Sequence, residues 1–277
     1  MNIIHTADWH LGQKLLNKSR EEEHQHFLDW LLVQIQKEQV ELLIVAGDIF
    51  DTGNPPNYAR KQYYNFIADL KKTSCKHVLI IGGNHDSIRL LETSKNILQF
   101  LNVYVVGGAS QTKSDDIFEI KNDDGELELV LCAIPFLRDR DLMTAMAGES
   151  VIERENRIVE GIKNHYSEMK DLILSYKKQH IPVIATGHLF AQGADVSDKE
   201  KQKDSAEKDI YIGNLGKIKA ENFPSEFDYI ALGHIHKQQI IDKNPFIRYS
   251  GSPIPLSFSE KDDQKVVLFF QTDKSEI

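Results

Sequence analysis

The chain has 277 residues, 41% hydrophobic and 27% charged, which suffices for a sizeable core and excludes a disordered or fibrous protein. A formal net charge of −9 argues against a surface coated in phosphate-binding Lys and Arg, so cationic contacts to a nucleic acid must be local or supplied by metal ions. Cys75 and Cys132 are far apart and lack CxxC spacing, against a disulfide framework or thiolate zinc site, and neither a secretory leader nor an apolar run of membrane-spanning length is visible, so a cytoplasmic protein without a membrane partner is expected.

In chain order, short apolar runs alternate with amphipathic stretches, the pattern of an α/β protein. Strands are expected at Ile3 to Thr6, Leu42 to Ala46, Val78 to Ile81, Val103 to Val106, Val183 to Thr186 and Tyr229 to Leu232. Helices are expected over Arg20 to Lys37, Asn57 to Lys72 and Val151 to Lys177. In the first, Phe27, Leu28, Leu31, Leu32 and Ile35 recur at helical spacing and form a core-facing stripe. Ile117 to Ile120 and Leu127 to Ile134 flank KNDDGE, which predicts a β-hairpin with Asp124 and Gly125 near its tip. Gln192 to Asp209 is polar, highly charged and poor in apolar residues, which predicts a mobile surface loop. The runs QQIID, FIRYSG and KVVLFFQ predict a terminal β-meander, and the whole reads as one domain of paired mixed sheets with helices outside.

Five times an apolar run ends in a small residue or tight turn and delivers metal-ligand side chains: IIHTADWH, LLIVAGDIFD, VLIIGGNHD, PVIATGH and YIALGHIH. Strand ends that share one edge of a largely parallel sheet system would gather Asp8, His10, Asp48, Asn84, His85, His188, His234 and His236 around one cleft. A lone histidine after a strand is usually structural, and His5, His24, His26, His77, His165 and His180 are read that way. Imidazoles, carboxylates and one amide without thiolates suit Mn, Fe or Zn better than calcium. They exceed the three protein ligands of a catalytic zinc, so two ions sharing a carboxylate is the economical reading. Two ions about 3.5–4 Å apart would hold an activated hydroxide against phosphorus and stabilise the charge that develops there.

The order D-x-H, G-D-x-x-D, G-N-H-D, G-H, G-H-x-H, across residues 8 to 236, resembles the calcineurin-like metallophosphoesterases. The longer strings HTADWHLG, AGDIFDTGNPPNYAR, GGNHDS and YSGSPIPLSF are similar to the SbcD family of bacterial nuclease subunits. The resemblance implies the α/β calcineurin-like metallophosphoesterase fold, mixed β-sheets sandwiched by helices, over residues 1–277. It implies two divalent metal ions, Mn2+ foremost, with Asp8, His10, Asp48 and His236 on one and Asp48, Asn84, His188 and His234 on the other. It implies that His85 donates a proton or hydrogen bond toward the leaving oxygen. Asp51 is a reasonable orienter of the His85 ring, although archaeal and eukaryotic relatives tend to carry His at that place, and a turn-capping aspartate is the alternative. It further implies hydrolysis of DNA phosphodiesters at ends and hairpins in repair and recombination, an SbcC-type ATPase partner and a homodimer. Such proteins continue into a capping region and a partner-binding tail, neither recognisable before Ile277, so a longer parent protein is expected.

Two rival functions share these motifs. Protein phosphatases continue GDxVDRG and GNHE where this chain reads GDIFDTG and GNHD, but a nucleotide or cyclic-nucleotide phosphodiesterase could keep the same core. An inactive scaffold would show missing ligands, whereas all seven positions hold competent residues. Lys14, Arg20, Arg60 and Arg89 are candidate DNA-facing cations. Tyr58, Gln62, Tyr63 and Phe66 on one helix, or Leu90, Leu91, Ile97 and Leu98 on another, are candidate dimer faces whose alternative is intramolecular core.

Overall fold

The apolar runs assemble into two sheets, and the computed structural model describes residues 1–142, 149–191 and 218–272. In chain order the elements are β1 (Asn2–Thr6), β2 (Lys14–Leu15), β3 (Lys18–Ser19), α1 (Glu21–Lys37), β4 (Leu42–Ala46), α2 (Asn57–Leu70), β5 (His77–Ile81), α3 (Ile88–Glu92), α4 (Lys95–Gln99) and β6 (Val103–Val106). There follow β7 (Ile117–Lys121), β8 (Leu127–Cys132), α5 (Asp139–Leu142), α6 (Val151–Lys177), β9 (Val183–His188), β10 (Tyr229–Gly233), β11 (Gln239–Ile241), β12 (Asn244–Tyr249) and β13 (Leu268–Gln271). The first sheet runs β13-β1-β4-β5-β6 and the second β11-β12-β10-β9-β8-β7. In both, parallel central strands are flanked by antiparallel edges, β13 in the first and β7 and β11 in the second.

Burial on both faces explains why the central strands read as unbroken apolar runs rather than alternating ones. Along β4, Leu42, Ile44 and Ala46 pack in the layer between the two sheets, while Leu43 and Val45 pack under the helices. Along β8 and its extension, Leu129, Leu131 and Ala133 enter the same central layer, and Val130, Cys132 and Ile134 face the α6 side. The stripe Phe27, Leu28, Leu31 and Ile35 seats α1 on the first sheet. Helix α6 starts on a capping box, with Glu153 N–H on Ser150 Oγ and Ser150 N–H on Glu153 Oε2, and covers the second sheet through Ile158, Ile162, Tyr166, Met169 and Ile173.

The six expected strands and three long helices are all present, as is the β7–β8 hairpin, whose turn is held by Asn122 Oδ1 accepting the Asp124 and Glu126 N–H groups. The terminal meander is a correction. β11 and β12 pair with each other, but β12 runs parallel to β10, and β13 crosses to the first sheet, antiparallel to β1 with Phe270 opposite Ile3. Phe270 packs against Tyr229, and alternation along a strand does not say which sheet edge it will join. The expected loop from Gln192 to Asp209 lies outside the described residues. Among the described residues no helix is long and apolar enough to cross a membrane.

Both cysteines are buried and free, and burial pushes the Cys75 thiol up to about 12. His24 and His165 are buried and held down to about 4, by burial first and by nearby Arg20 and Lys113 respectively. Because their folded values lie below the ordinary 6.5, the stability they allow is complete above pH 6.5 and is lost as pH falls toward 4. Denaturant unfolding across that window is expected to show a falling midpoint, with a slope that His24→Leu reduces by about 1.4 kcal/mol per pH unit. An unchanged slope would show that His24 charges as freely in the folded protein as in the unfolded one.

Candidate metal centre

The five ligand-bearing turns come from both sheets, not one: β1, β4 and β5 from the first, β9 and β10 from the second. They nevertheless meet, because His188 Nδ1 lies 2.9 Å from the Ala46 carbonyl and the His234 N–H donates to Asp8 Oδ1 at 2.9 Å across the sheets, and because the first-sheet turns are bonded to one another. The Asp8, His10 and Leu11 N–H groups donate to the carbonyls of Gly47, Asp48 and Ile49 at 3.0, 3.0 and 2.9 Å. Trp9, between the two side chains of D-x-H, turns into the helix layer, where its Nε1 donates to Thr6 Oγ1 at 3.0 Å and its ring packs edge-on against Phe27 and Phe66. Asp8 and His10 thus flank a buried anchor.

Sharp turns place the ligands. Asp8, His10, Asp48 and His234 have φ of 54°, 47°, 51° and 98°, left-handed values that cost a non-glycine residue roughly 1 kcal/mol or more each. Such strain persists where surrounding contacts over-determine the backbone, and it concentrates here on four of the seven proposed ligands. Two glycines make room: a Cβ on Gly83 would lie 2.1 Å from Asp48 Oδ1, and one on Gly233 would lie 1.9 Å from the Ala46 carbonyl oxygen.

Among the described residues three groups of donor side chains result: one joins His10 to Asp51 and His85, and the other two hold the expected ligands. Asp8, His10 and His236 offer ligand atoms that all lie within 4.8 Å of one another, and so do Asp48, His188 and His234. Asn84 joins the second, its Oδ1 lying 3.0 Å from His188 Nε2 and 3.1 Å from His234 Nδ1. The Asp48 carboxylate lies between the clusters: Oδ2 is 3.2 Å from His188 Nε2 and 3.5 Å from His10 Nε2, while Oδ1 accepts the His85 N–H at 3.0 Å. Asp8 accepts the His234 N–H on both oxygens, at 2.9 and 3.2 Å, tying the first cluster to the second. His188 Nδ1 is 2.9 Å from the Ala46 carbonyl, an arrangement that puts the proton on Nδ1 and leaves Nε2 able to coordinate.

The electrostatics fit a cation. Burial raises Asp8, whereas burial of Asp48 is outweighed by the His188, His85 and His10 imidazoles, which hold it well below the usual carboxylate range. Burial drives His234 down to about 3; for His188 burial acts the same way, but Asp48 and Asp8 overcome it and raise it to about 9. Both ring nitrogens of His10 are buried without a partner in hydrogen-bonding geometry, although Asp48 and Asp51 carboxylates lie nearby. A buried imidazole whose two nitrogens face carboxylates in poor hydrogen-bonding geometry belongs to a donor set that an ion would satisfy.

His85 is partly buried next to Asn84, its ring centroid 4.9 Å from that of His10. Its Nδ1 lies 2.8 Å from the backbone carbonyl of Asp51, not from the carboxylate expected to orient it. The Asp51 carboxylate turns instead to His10, with Oδ1 3.3 Å from Nδ1. The turn after Asp48 aims carbonyl and carboxylate of one residue at two different rings, a distinction that sequence spacing does not carry. Burial lowers the His85 value, but Asp48 and the Asp51 carbonyl outweigh it and the net shift is upward.

Two carboxylates went unrecognised in the sequence. Asp86 is buried and accepts the N–H groups of Ile49, Phe50 and Gly83 at 3.1, 3.0 and 2.9 Å, clamping the Asp48 turn to the Asn84 turn; burial and the Asp48 charge raise it to about 6. Glu260 is buried beside His236. Asp86 stands inside GGNHDS and Glu260 two residues past YSGSPIPLSF, but a carboxylate that accepts backbone N–H groups leaves no periodic signature. Arg20, a candidate DNA contact, is buried on Glu23, Gln13 Oε1 and the Pro255 carbonyl and holds loops together; Lys14 and Arg89 are exposed and Arg60 is half-buried.

The family model for calcineurin-like phosphoesterases matches residues 1–238, which include every residue of both clusters. The chain belongs to the calcineurin-like phosphoesterase family. Members of this family bind divalent metals. Similar curated phosphoesterases are the SbcD subunits of the SbcCD nucleases of Escherichia coli K12, 48% identical over 268 residues, Rhodobacter capsulatus, 33% over 266, and Bacillus subtilis, 30% over 263. These alignments cover 96, 94 and 94% of this chain but 64, 64 and 63% of those proteins, so the chain spans under two thirds of the relatives' length. A dimetal phosphatase from Danio rerio shares the fold, with a TM-score of 0.50 at 14% identity over 90% of this chain and 86% of that one.

Since the Asp51 carboxylate faces His10, Asp51→Asn is expected to weaken metal binding by about 10- to 100-fold rather than to disturb His85. Calorimetric titration with Mn2+ measures this; wild-type affinity in the variant would return Asp51 to the role of a turn residue.

Proposed function

We propose that this phosphoesterase domain is the DNA-cleaving part of an SbcD-like nuclease, holding two divalent ions, Mn2+ foremost, and hydrolysing phosphodiester bonds at DNA ends and hairpins. The observation that carries the reading is the Asp48 carboxylate lying 3.2 Å from His188 and 3.5 Å from His10, between two ligand clusters. Asp8, His10 and His236 would hold one ion, Asn84, His188 and His234 the other, and Asp48 both. When bound, the pair supplies Lewis-acid stabilisation of charge on the phosphoryl and reacting oxygens.

The protein's own share is placement and proton handling. Residues turned in by strained backbone need no reorganisation as the reaction proceeds, which is how a preorganised site contributes. His85, with Nδ1 on the Asp51 carbonyl, keeps Nε2 to protonate or hydrogen-bond the leaving sugar oxygen, a poor leaving group on its own. The 48% identity to the E. coli SbcD protein favours DNA over a free or cyclic nucleotide and favours an SbcC-type ATPase partner, consistent with a role in repair and recombination.

A homodimer belongs to the same reading, on a smaller face than the sequence suggested. Gln62, Tyr63, Phe66, Leu91 and Leu98 are buried within the chain, but Ile97 and Phe100 are 71 and 90% exposed, and Leu101 and Tyr64 are exposed as well. Phe100→Glu is expected to shift the mass in solution from dimer to monomer by light scattering at micromolar concentration. A wild-type monomer under the same conditions would contradict the dimer.

With Mn2+, duplex DNA ends are expected to be turned over in preference to a chromogenic monoester or a cyclic nucleotide, and His85→Gln is expected to keep both ions while slowing cleavage by roughly 10²–10⁴. Preference for the cyclic nucleotide would favour the rival phosphodiesterase. Loss of metal in His85→Gln would make His85 a ligand, and full activity would make it a bystander.

A further inference from the structure

The segment after β12 contacts both arms of the first cluster, and the metal reading leaves its polar residues unused. On the His236 side, Lys265 Nζ donates to the His236 carbonyl at 2.9 Å, to Ser252 Oγ at 3.0 Å and to Glu260 Oε2 at 2.6 Å, and the Ser252 N–H donates to the His236 carbonyl at 3.1 Å. Glu260, 2% exposed, also accepts from the Leu256 N–H at 3.1 Å and from Ser257 Oγ at 3.2 Å. Its Oε1 faces His236 Nδ1 at 3.7 Å, a charge contact longer than a hydrogen bond. On the other side, Gln13 Nε2 donates to the Leu256 carbonyl at 2.8 Å and Arg20 Nη1 to the Pro255 carbonyl, so the same loop is fastened to the chain that follows His10.

A loop that only closed the fold would not need a buried ion pair against a ligand-bearing turn, since burying two charges is costly unless each is matched. Here both are matched: Glu260 faces the His236 imidazole and Lys265 holds the His236 carbonyl. We propose that Glu260, held by Lys265, is a positioning residue for His236 and through it for the first ion; this rests on the binuclear reading above. A carboxylate facing Nδ1 favours the tautomer protonated there and leaves Nε2 to coordinate, the arrangement that sets ring orientation and basicity in histidine metal sites. The Lys265 bond to the His236 carbonyl fixes the backbone from which that ring projects. The side-chain contact of Glu260 is to His236, a ligand of the first ion, so the larger effect falls on that ion.

Calorimetric titration of the folded chain with Mn2+ separates the possibilities. Wild type is expected to take up two ions. Glu260→Ala is expected to weaken one by about 10- to 100-fold, with Glu260→Gln, which keeps an acceptor oxygen, in between and the other ion within about twofold of wild type in both. The unaltered ion doubles as a check that the variant is folded. Two ions at wild-type affinity in Glu260→Ala, or equal loss of both together with a lowered Tm, would overturn the positioning role in favour of a purely structural loop. A wild type that binds fewer than two ions would overturn the binuclear reading and this proposal with it.

Discussion

The placement of one carboxylate, that of Asp48, governs the rest of the site. It is almost fully buried, and its oxygens reach His188 from the second sheet, His10 from the first and the His85 N–H from the neighbouring turn. Burying a carboxylate is costly unless it is paired and hydrogen-bonded, and here the partners come from three separate strand ends. Bringing them together obliges the two sheets to meet at their carboxyl edges, which explains the close approach at Gly83 and Gly233 and the left-handed backbone at Asp8, His10, Asp48 and His234. The central apolar layer of Ile3, Ile44, Leu79, Leu131 and Ile184 stabilises the sheet pairing enough to carry that strain.

Around Asp48 the site is built in two shells with a division of labour. Imidazoles and carboxylates face inward, and a second set of groups holds them: Asp86 on three backbone N–H groups, the Ala46 carbonyl on His188, the Asp51 carbonyl on His85, and the Glu260 and Lys265 pair against His236. Backbone carbonyls do much of this orienting, which lets a short turn such as Asp48 to Asp51 serve two rings at once.

Much of this was legible in the sequence, and the reason is physical. Central strands of a doubly covered sheet are continuous apolar runs, as in LLIVA at Leu42–Ala46, and each ends in the small residue its turn requires, so strand and ligand are read together. The helix over Val151–Lys177 has the amphipathic period that predicts it. What was not legible depends on long-range choices. The run at Leu268–Gln271 has strand character but no mark of which sheet it will join. The roles of Asp51, Arg20 and Glu260 depend on where side chain and carbonyl point after folding, and Arg20 proved to be a loop fastener because Pro255, more than 200 residues away, presents its carbonyl there. Tyr63 and Phe66 likewise joined the core rather than a surface because their rings pack on Phe50 and Trp9, which the turns after β4 and β1 bring there.

Anomalous diffraction from Mn2+-soaked crystals of the chain tests the shared-carboxylate account most directly. Two peaks separated by about 3.5–4 Å, with the Asp48 carboxylate between them, one against Asp8, His10 and His236 and one against Asn84, His188 and His234, are the expected result. A single peak, or a pair in which Asp48 contacts only one ion, would contradict it.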